Sequence, residues 1–374
     1  MEEKNINNLR VALVHDFLNQ YGGAEKVLEA LCEMFPKAPI YTLLYDKEKM
    51  QGKFSNREIH TSFLQKLPKF FRRRFKYFLP FLPTAPESFD LREYDLVISS
   101  SGAWSKGIIT RLDTMHIAYI HSPMRFVWDY NEKYLRDERK EKLGFIIRPV
   151  LSYFRIWDKL AADRPDHIIA NSKYTRSRIK KYYRRESEVI YPPVPSPPTP
   201  LPNTGEGGNK DYFLVVSRLS AYKKIDKAIE AFNKLELPLV IVGTGKEEKR
   251  LKKIAKKNIK FVGYQKDEKL PEIYENARAF IFPGVDDFGI APVEAMMHGI
   301  PVIAIKDGGV VEIIEEGKNG EFFESAMPEV IADGVRRFCE NEKNYEKNYI
   351  KQSVEKFNKE RFKKEIIEYI NSKL

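Results

Sequence analysis

The chain predicts an α/β protein built of two parallel-sheet domains. Short apolar, β-rich runs alternate with stretches of helical periodicity from one end to the other. The runs are apolar throughout rather than alternating, as in strands buried on both faces of a parallel sheet. At 374 residues the chain is also too long for one ordinary core.

The first half offers strands at RVALVH (10–15), YDLVISS (94–100), HIAYIH (116–121) and HIIAN (167–171). The second repeats the style with YFLVVS (212–217), PLVIVG (238–243), IKFVG (259–263), AFIFP (279–283) and PVIAI (301–305). Pieces between them, such as KAIEAFNKL (227–235) and PVEAMMHG (292–299), read as helices ending at glycine or loop. PPVPSPPTPLPNTGEGG (192–208) holds seven prolines and three glycines, so neither strand nor helix continues through it. The expected organisation is a Rossmann-like domain over 1–191, a linker over 192–208 and a second Rossmann-like domain over 209–352. The two face an interdomain cleft, and a last helix over 353–374 packs back on the first domain.

Composition excludes several classes. The longest apolar runs fall far short of the roughly 20 residues that span a bilayer, and MEEKNINNLR lacks the apolar core of a signal peptide. Cys32 and Cys339 lie far apart and form no disulfide or metal framework. A cytoplasmic location is the simplest expectation. The formal charge of +11 suits anionic partners, although much of the Lys and Glu lies on solvated helix faces. KLPKFFRRRFKYFLPFLP (66–83) combines six basic residues, several aromatics and no acid. It fits an anionic membrane surface and, equally, a basic helix with an ordinary core face. No nucleic-acid recognition module accompanies it.

The residues that could do chemistry cluster where strands open into helices. GGAE (22–25) follows a strand and precedes a helix, an arrangement that turns backbone N–H groups toward phosphate and also serves as a tight turn. His121 and Asn171 end successive strands, facing the region where α/β ligands bind. A partly buried structural histidine is the plain alternative for His121, and helix capping is the better role for Ser172. Arg218 and Lys223 stand five apart beyond a strand, a planar fork and a compact cation able to neutralise a diphosphate. Surface charge is the other explanation. In DDFGIAPVE (286–294), Gly289 frees the backbone and Pro292 suits a first helical turn. N–H groups of Gly289, Ile290 and Ala291 could bind phosphate or sugar oxygens, Glu294 ribose hydroxyls, and Asp286 sugar hydroxyls. Capping accounts for Asp287. GGVVE (308–312) adds another glycine turn before an acid, Glu312.

Taken in order, GGAE, YIHSPMRFVWD, ANSKYT, SRLSAYKKID, IVGTG and FIFPGVDDFGIAPVEAMMHGIPVIAIKDGG resemble the retaining glycosyltransferases of family 4, which have the GT-B fold. SRLSAYKKIDKAIEAF and IFPGVDDFGIAPVEAM are most similar to mannosyltransferases that build surface polysaccharides from GDP-mannose. The resemblance implies a catalytic set of His121, Arg218, Lys223 and Asp286. It implies donor contacts from Gly22, Gly23, Asn171, Arg218, Lys223, Gly289, Ile290, Ala291 and Glu294. It further implies a glycan or lipid-linked glycan acceptor, front-face transfer with retained configuration, and no cofactor beyond the donor. The family usually has Glu where Asp286 stands and glycine where Lys224 stands. No D-x-D triplet occurs, so the usual acidic motif for a metal-bound donor is missing. A GT-B epimerase or phosphorylase, or a non-catalytic two-domain binding protein, would share much of this pattern.

Overall fold

The computed structural model describes residues 6–68, 81–129, 144–194 and 211–374. Most of the basic–aromatic segment and of the proline-rich linker falls outside them. The chain forms two compact units, Met1–Pro193 with Lys359–Leu374, and Val194–Asn358.

In the first unit the strands are β1 (Val11–Leu18), β2 (Ile40–Tyr45), β3 (Ile59–Thr61), β4 (Leu96–Ser101), β5 (Met115–Ile120), β6 (His167–Ala170) and β7 (Glu188–Val189). They pair in the order β3-β2-β1-β4-β5-β6-β7, every neighbour parallel. Strand order reverses between β1 and β4, and at such a switch point the connections leave in opposite directions and open a crevice. The register sets His15 of β1 opposite Ser100 of β4. The helix Lys359–Asn371 contributes Phe362, Ile366 and Ile370 to the core that holds Leu13, Ile98, Ile117 and Tyr119. Spacing of four residues puts those three side chains on one helix face.

The second unit has β8 (Tyr212–Val216), β9 (Leu239–Val242), β10 (Ile259–Gly263), β11 (Ala277–Phe282), β12 (Val302–Ile305) and β13 (Gly320–Phe323). Their order is β10-β9-β8-β11-β12-β13, again all parallel. Every residue of β12 is buried, which explains why this strand reads as an unbroken apolar run rather than alternation. The helices Ile225–Leu235 and Pro328–Asn341 bury Ile229, Phe232, Val335 and Phe338 against Phe213, Ile241 and Ile303.

Each strand expected from the sequence is present within a few residues. Four further strands were not expected. β3 and β7 are short edge strands of three and two residues. β2 and β13, IYTLLY and GEFF, carry polar or glycine positions that break the apolar run.

Candidate active site

In the second unit the switch point lies between β8 and β11, and the candidate residues gather at the carboxyl ends of these neighbours. Beyond β8 the chain passes through Ser217–Ser220 into a tight turn, Ala221–Lys223. Backbone bonds hold this loop to the one after β9: Ser217 N–H donates to Val242 (3.0 Å) and Leu219 N–H to Thr244 (3.0 Å). Gly243 and Gly245 permit that approach, since a Cβ on either would lie 2.0 or 2.1 Å from the carbonyl oxygens of Ser217 and Leu219. Lys224 then adopts the left-handed conformation, φ 53°, which accounts for glycine being common there.

Lys223 Nζ donates to the carboxylate of Asp286, in the loop after β11. Read from sequence, these two residues have separate tasks; the structure joins them in one ion pair. Their side chains are 15% and 24% exposed, so the pair is open to a ligand. Gly284 is what brings the two loops together, because a Cβ there would stand 2.8 Å from Lys223 Cα. On its other side the Asp286 carbonyl accepts from Gly309 N–H at 2.9 Å, and a Cβ on Gly308 would come within 2.4 Å of that oxygen. Arg218 is exposed and makes no ion pair among the described residues.

The helix Ile290–Met297 opens at Gly289, whose φ of 103° disfavours a side chain. Its N-cap position is a glycine, which offers no capping side chain of its own. N–H groups of Ile290 and Ala291 therefore sit at a helix N-terminus without intrahelical acceptors, where the macrodipole favours an anion. One turn further, Glu294 accepts a hydrogen bond from Tyr274 Oη at 3.3 Å. Tyr274 is buried and stacked on His298 with ring centroids 5.1 Å apart, so Glu294 is anchored from below.

The first unit holds its own cluster at its switch point. His121 follows β5, and its Nε2 lies 2.8 Å from Ser100 Oγ. The same hydroxyl lies 3.1 Å from His15 Nδ1, and His15 Nε2 lies 3.3 Å from Glu25 Oε1. Burial pushes the His121 pKa down to about 4. Gly22 is the N-cap of the helix Gly23–Met34, so Gly23 is a helical residue rather than part of the loop. Asn171 is buried, and Ser172 caps the next helix by accepting from Thr175 N–H at 2.9 Å. Asp16 accepts four backbone N–H bonds, from Gly102, Ala103, Trp104 and Ser105, at 2.6–2.9 Å. That carboxylate fixes the loop leaving β4.

Sequence reasoning missed His15, Asp16, Glu25, Ser100 and Tyr274. A signal was present for the first two: a His and an Asp inside the run VALVHDFL must be buried if the run is a central strand, and buried polar groups need partners.

A family model described as Glycosyl transferases group 1 matches residues 201–356, and one described as Glycosyltransferase Family 4 matches residues 21–196. The chain is of the family 4 glycosyltransferase type. Its fold agrees: HepE of Anabaena, in complex with UDP-glucose, superposes with a TM-score of 0.72 at 18% identity, over 98% of this chain and 100% of that one. The GT-B architecture is therefore shared. An uncharacterised glycosyltransferase of Methanocaldococcus jannaschii is 26% identical over 50% of this chain and 54% of its own length. A GDP-mannose-dependent alpha-mannosyltransferase of Corynebacterium glutamicum is 33% identical over 30% of this chain and 27% of its own length. The chain thus spans about half the length, or less, of these curated relatives.

Proposed function

We propose that this family 4 type protein transfers a hexose, mannose from GDP-mannose being the best-supported choice, onto a glycan or lipid-linked glycan acceptor. One observation carries the reading: the ammonium of Lys223, the exposed guanidinium of Arg218 and the open helix N-terminus at Gly289 occupy the carboxyl ends of two neighbouring strands. Each is a source of positive potential of the kind that stabilises the charge developing on a diphosphate leaving group. The relative from Corynebacterium glutamicum supports mannose, while the HepE complex keeps UDP-glucose in the donor panel.

In this reading the bond between the sugar anomeric carbon and the diphosphate oxygen breaks. Arg218, Lys223 and the N–H groups of Ile290 and Ala291 neutralise the departing charge. An acceptor hydroxyl attacks the anomeric carbon from the same face and gives its proton to the leaving phosphate oxygen, which retains configuration. Lys223 exchanges Asp286 for phosphate when donor enters, and the freed carboxylate then takes sugar hydroxyls. Glu294 accepts from the ribose, and the role assigned to His121 is to bind a sugar hydroxyl.

The test is a donor panel of GDP-mannose, UDP-glucose and related sugar nucleotides, with nucleoside diphosphate release as readout. GDP-mannose turnover that is lost in folded Lys223→Ala and Glu294→Ala supports the proposal. Full activity in both variants would contradict the assigned roles, and turnover of a UDP-sugar alone would contradict the donor.

A further inference from the structure

Three buried groups and the half-buried His121 form an unbroken line in the first unit, from the start of one helix to the end of β5: Glu25, His15, Ser100 and His121, with successive separations of 3.3, 3.1 and 2.8 Å. His15 and Glu25 are 3% and 7% exposed, and Ser100 is fully buried, so water does not compete along the line. Asp16 is the other charged group nearby, and its two oxygens are taken by four backbone N–H donors.

Hydrogen-bond polarity along such a line is determined from its charged end. A carboxylate only accepts, so Glu25 requires a proton on His15 Nε2. With the His15 ring in its neutral form, Nδ1 has a lone pair, and the Ser100 hydroxyl donates to it. The Ser100 oxygen is left to accept from His121 Nε2–H. His121, itself neutral because burial depresses its pKa, has one proton, and it is on Nε2. Its remaining nitrogen, Nδ1, is an acceptor. Were Glu25 neutral or the line cut, His121 would be free to carry the proton on Nδ1 and present a donor instead.

We propose that Glu25 is a positioning residue which, through His15 and Ser100, fixes His121 as the Nε2-protonated tautomer and so makes its Nδ1 a hydrogen-bond acceptor for a substrate hydroxyl. The ligand class is an O–H donor, as on a sugar, rather than a phosphate or carboxylate, which an Nδ1 lone pair repels. Its role in transfer rests on the proposed function; the tautomer itself does not. Glu25 also stands in the first turn of the helix Gly23–Met34.

The test reads the ring nitrogens of His121 by ¹⁵N NMR at pH 8, above the ordinary imidazole range, in wild type, Glu25→Gln and Ser100→Ala. Wild type is expected to show a protonated Nε2 and an unprotonated Nδ1. Each variant is expected to lose that pure signature, since Gln can donate as well as accept. A wild-type proton on Nδ1, or a His121 spectrum identical in all three proteins, overturns the proposal. Should Ser100→Ala not fold, Glu25→Gln decides alone. In turnover assays, Glu25→Gln is expected to lower kcat about tenfold or more with donor KM unchanged, as a wrong tautomer does elsewhere. On a His121→Ala background it should have no further effect; an additive loss there also counts against the line. Absence of GDP-mannose turnover would sink the proposed function while leaving the spectroscopic result to stand.

Discussion

Lys223 Nζ donates to the Asp286 carboxylate, joining the loop beyond β8 to the loop beyond β11. A cation held by its own carboxylate is already in place for an incoming anion and does not have to be ordered when one arrives. The pair is partly exposed, so its own contribution to stability is small, within about 1 kcal/mol. Its value lies in placement. Asp286→Asn is therefore expected to leave donor affinity within a few-fold while lowering kcat, whereas Lys223→Ala weakens donor binding at least tenfold. Titration of GDP-mannose into both variants, with turnover measured alongside, separates the two effects.

Gly284 is expected to tolerate nothing larger. A Cβ there would meet Lys223 Cα at 2.8 Å and its carbonyl oxygen at 2.9 Å, both backbone atoms that cannot swing aside. Gly284→Ala should destabilise the second unit by about 1–3 kcal/mol and displace Lys223, so donor affinity falls even where the protein remains folded. Gly52→Ala, at a site with open space around it but φ of 76°, should lose stability alone.

Lys106 and Asp158 form a buried ion pair at 2.6 Å, 1% and 0% exposed. Asp158 also accepts from Trp128 Nε1 and Tyr183 Oη, each at 2.8 Å. Removing one partner of such a pair strands the other charge, so Asp158→Asn is expected to cost about 3–5 kcal/mol. Urea denaturation followed by circular dichroism measures it. Replacing both residues by Met and Leu should recover most of the loss.

Acid should unfold the first unit through its histidines. Burial, aided by Arg164, pushes His116 down to about 3, and His121 stands at about 4. His116 Nε2 lies 2.8 Å from Ser99 Oγ, and its Nδ1 is buried without a partner. Both rings are neutral when folded and charge more readily when unfolded, near pH 6.5. The unfolded chain therefore binds more protons below that pH. Stability is complete above about pH 6.5 and falls steadily as pH drops toward 3–4, by a few kcal/mol for each ring. Melting curves between pH 4 and 8 should show the decline, and His116→Gln should flatten part of it.

Much of the fold could be read from residues alone, because buried parallel strands write themselves as apolar runs. β8, β9, β11 and β12 are of this kind. β2 and β13 escaped because Tyr, Thr, Gly and Glu interrupt the run, and Glu321 is buried only with Arg337 and Tyr345 as partners. In the candidate site, charged and glycine positions were visible as motifs on single segments. Relationships between segments were not: nothing local to Ala221–Lys223 announces Asp286, and nothing in GGAE announces His15. At the start of the helix Ile290–Met297, Gly289 makes the turn without a side chain.

The central claim is that the second unit grips the diphosphate of a sugar nucleotide through Arg218, Lys223 and the helix N-terminus at Gly289. Calorimetric titration of GDP into the wild-type chain and into Arg218→Ala, Lys223→Ala and their double variant tests it most directly. The account predicts measurable binding that weakens at least tenfold in each single variant and is lost in the double. GDP binding as tight in the double variant as in wild type would contradict it.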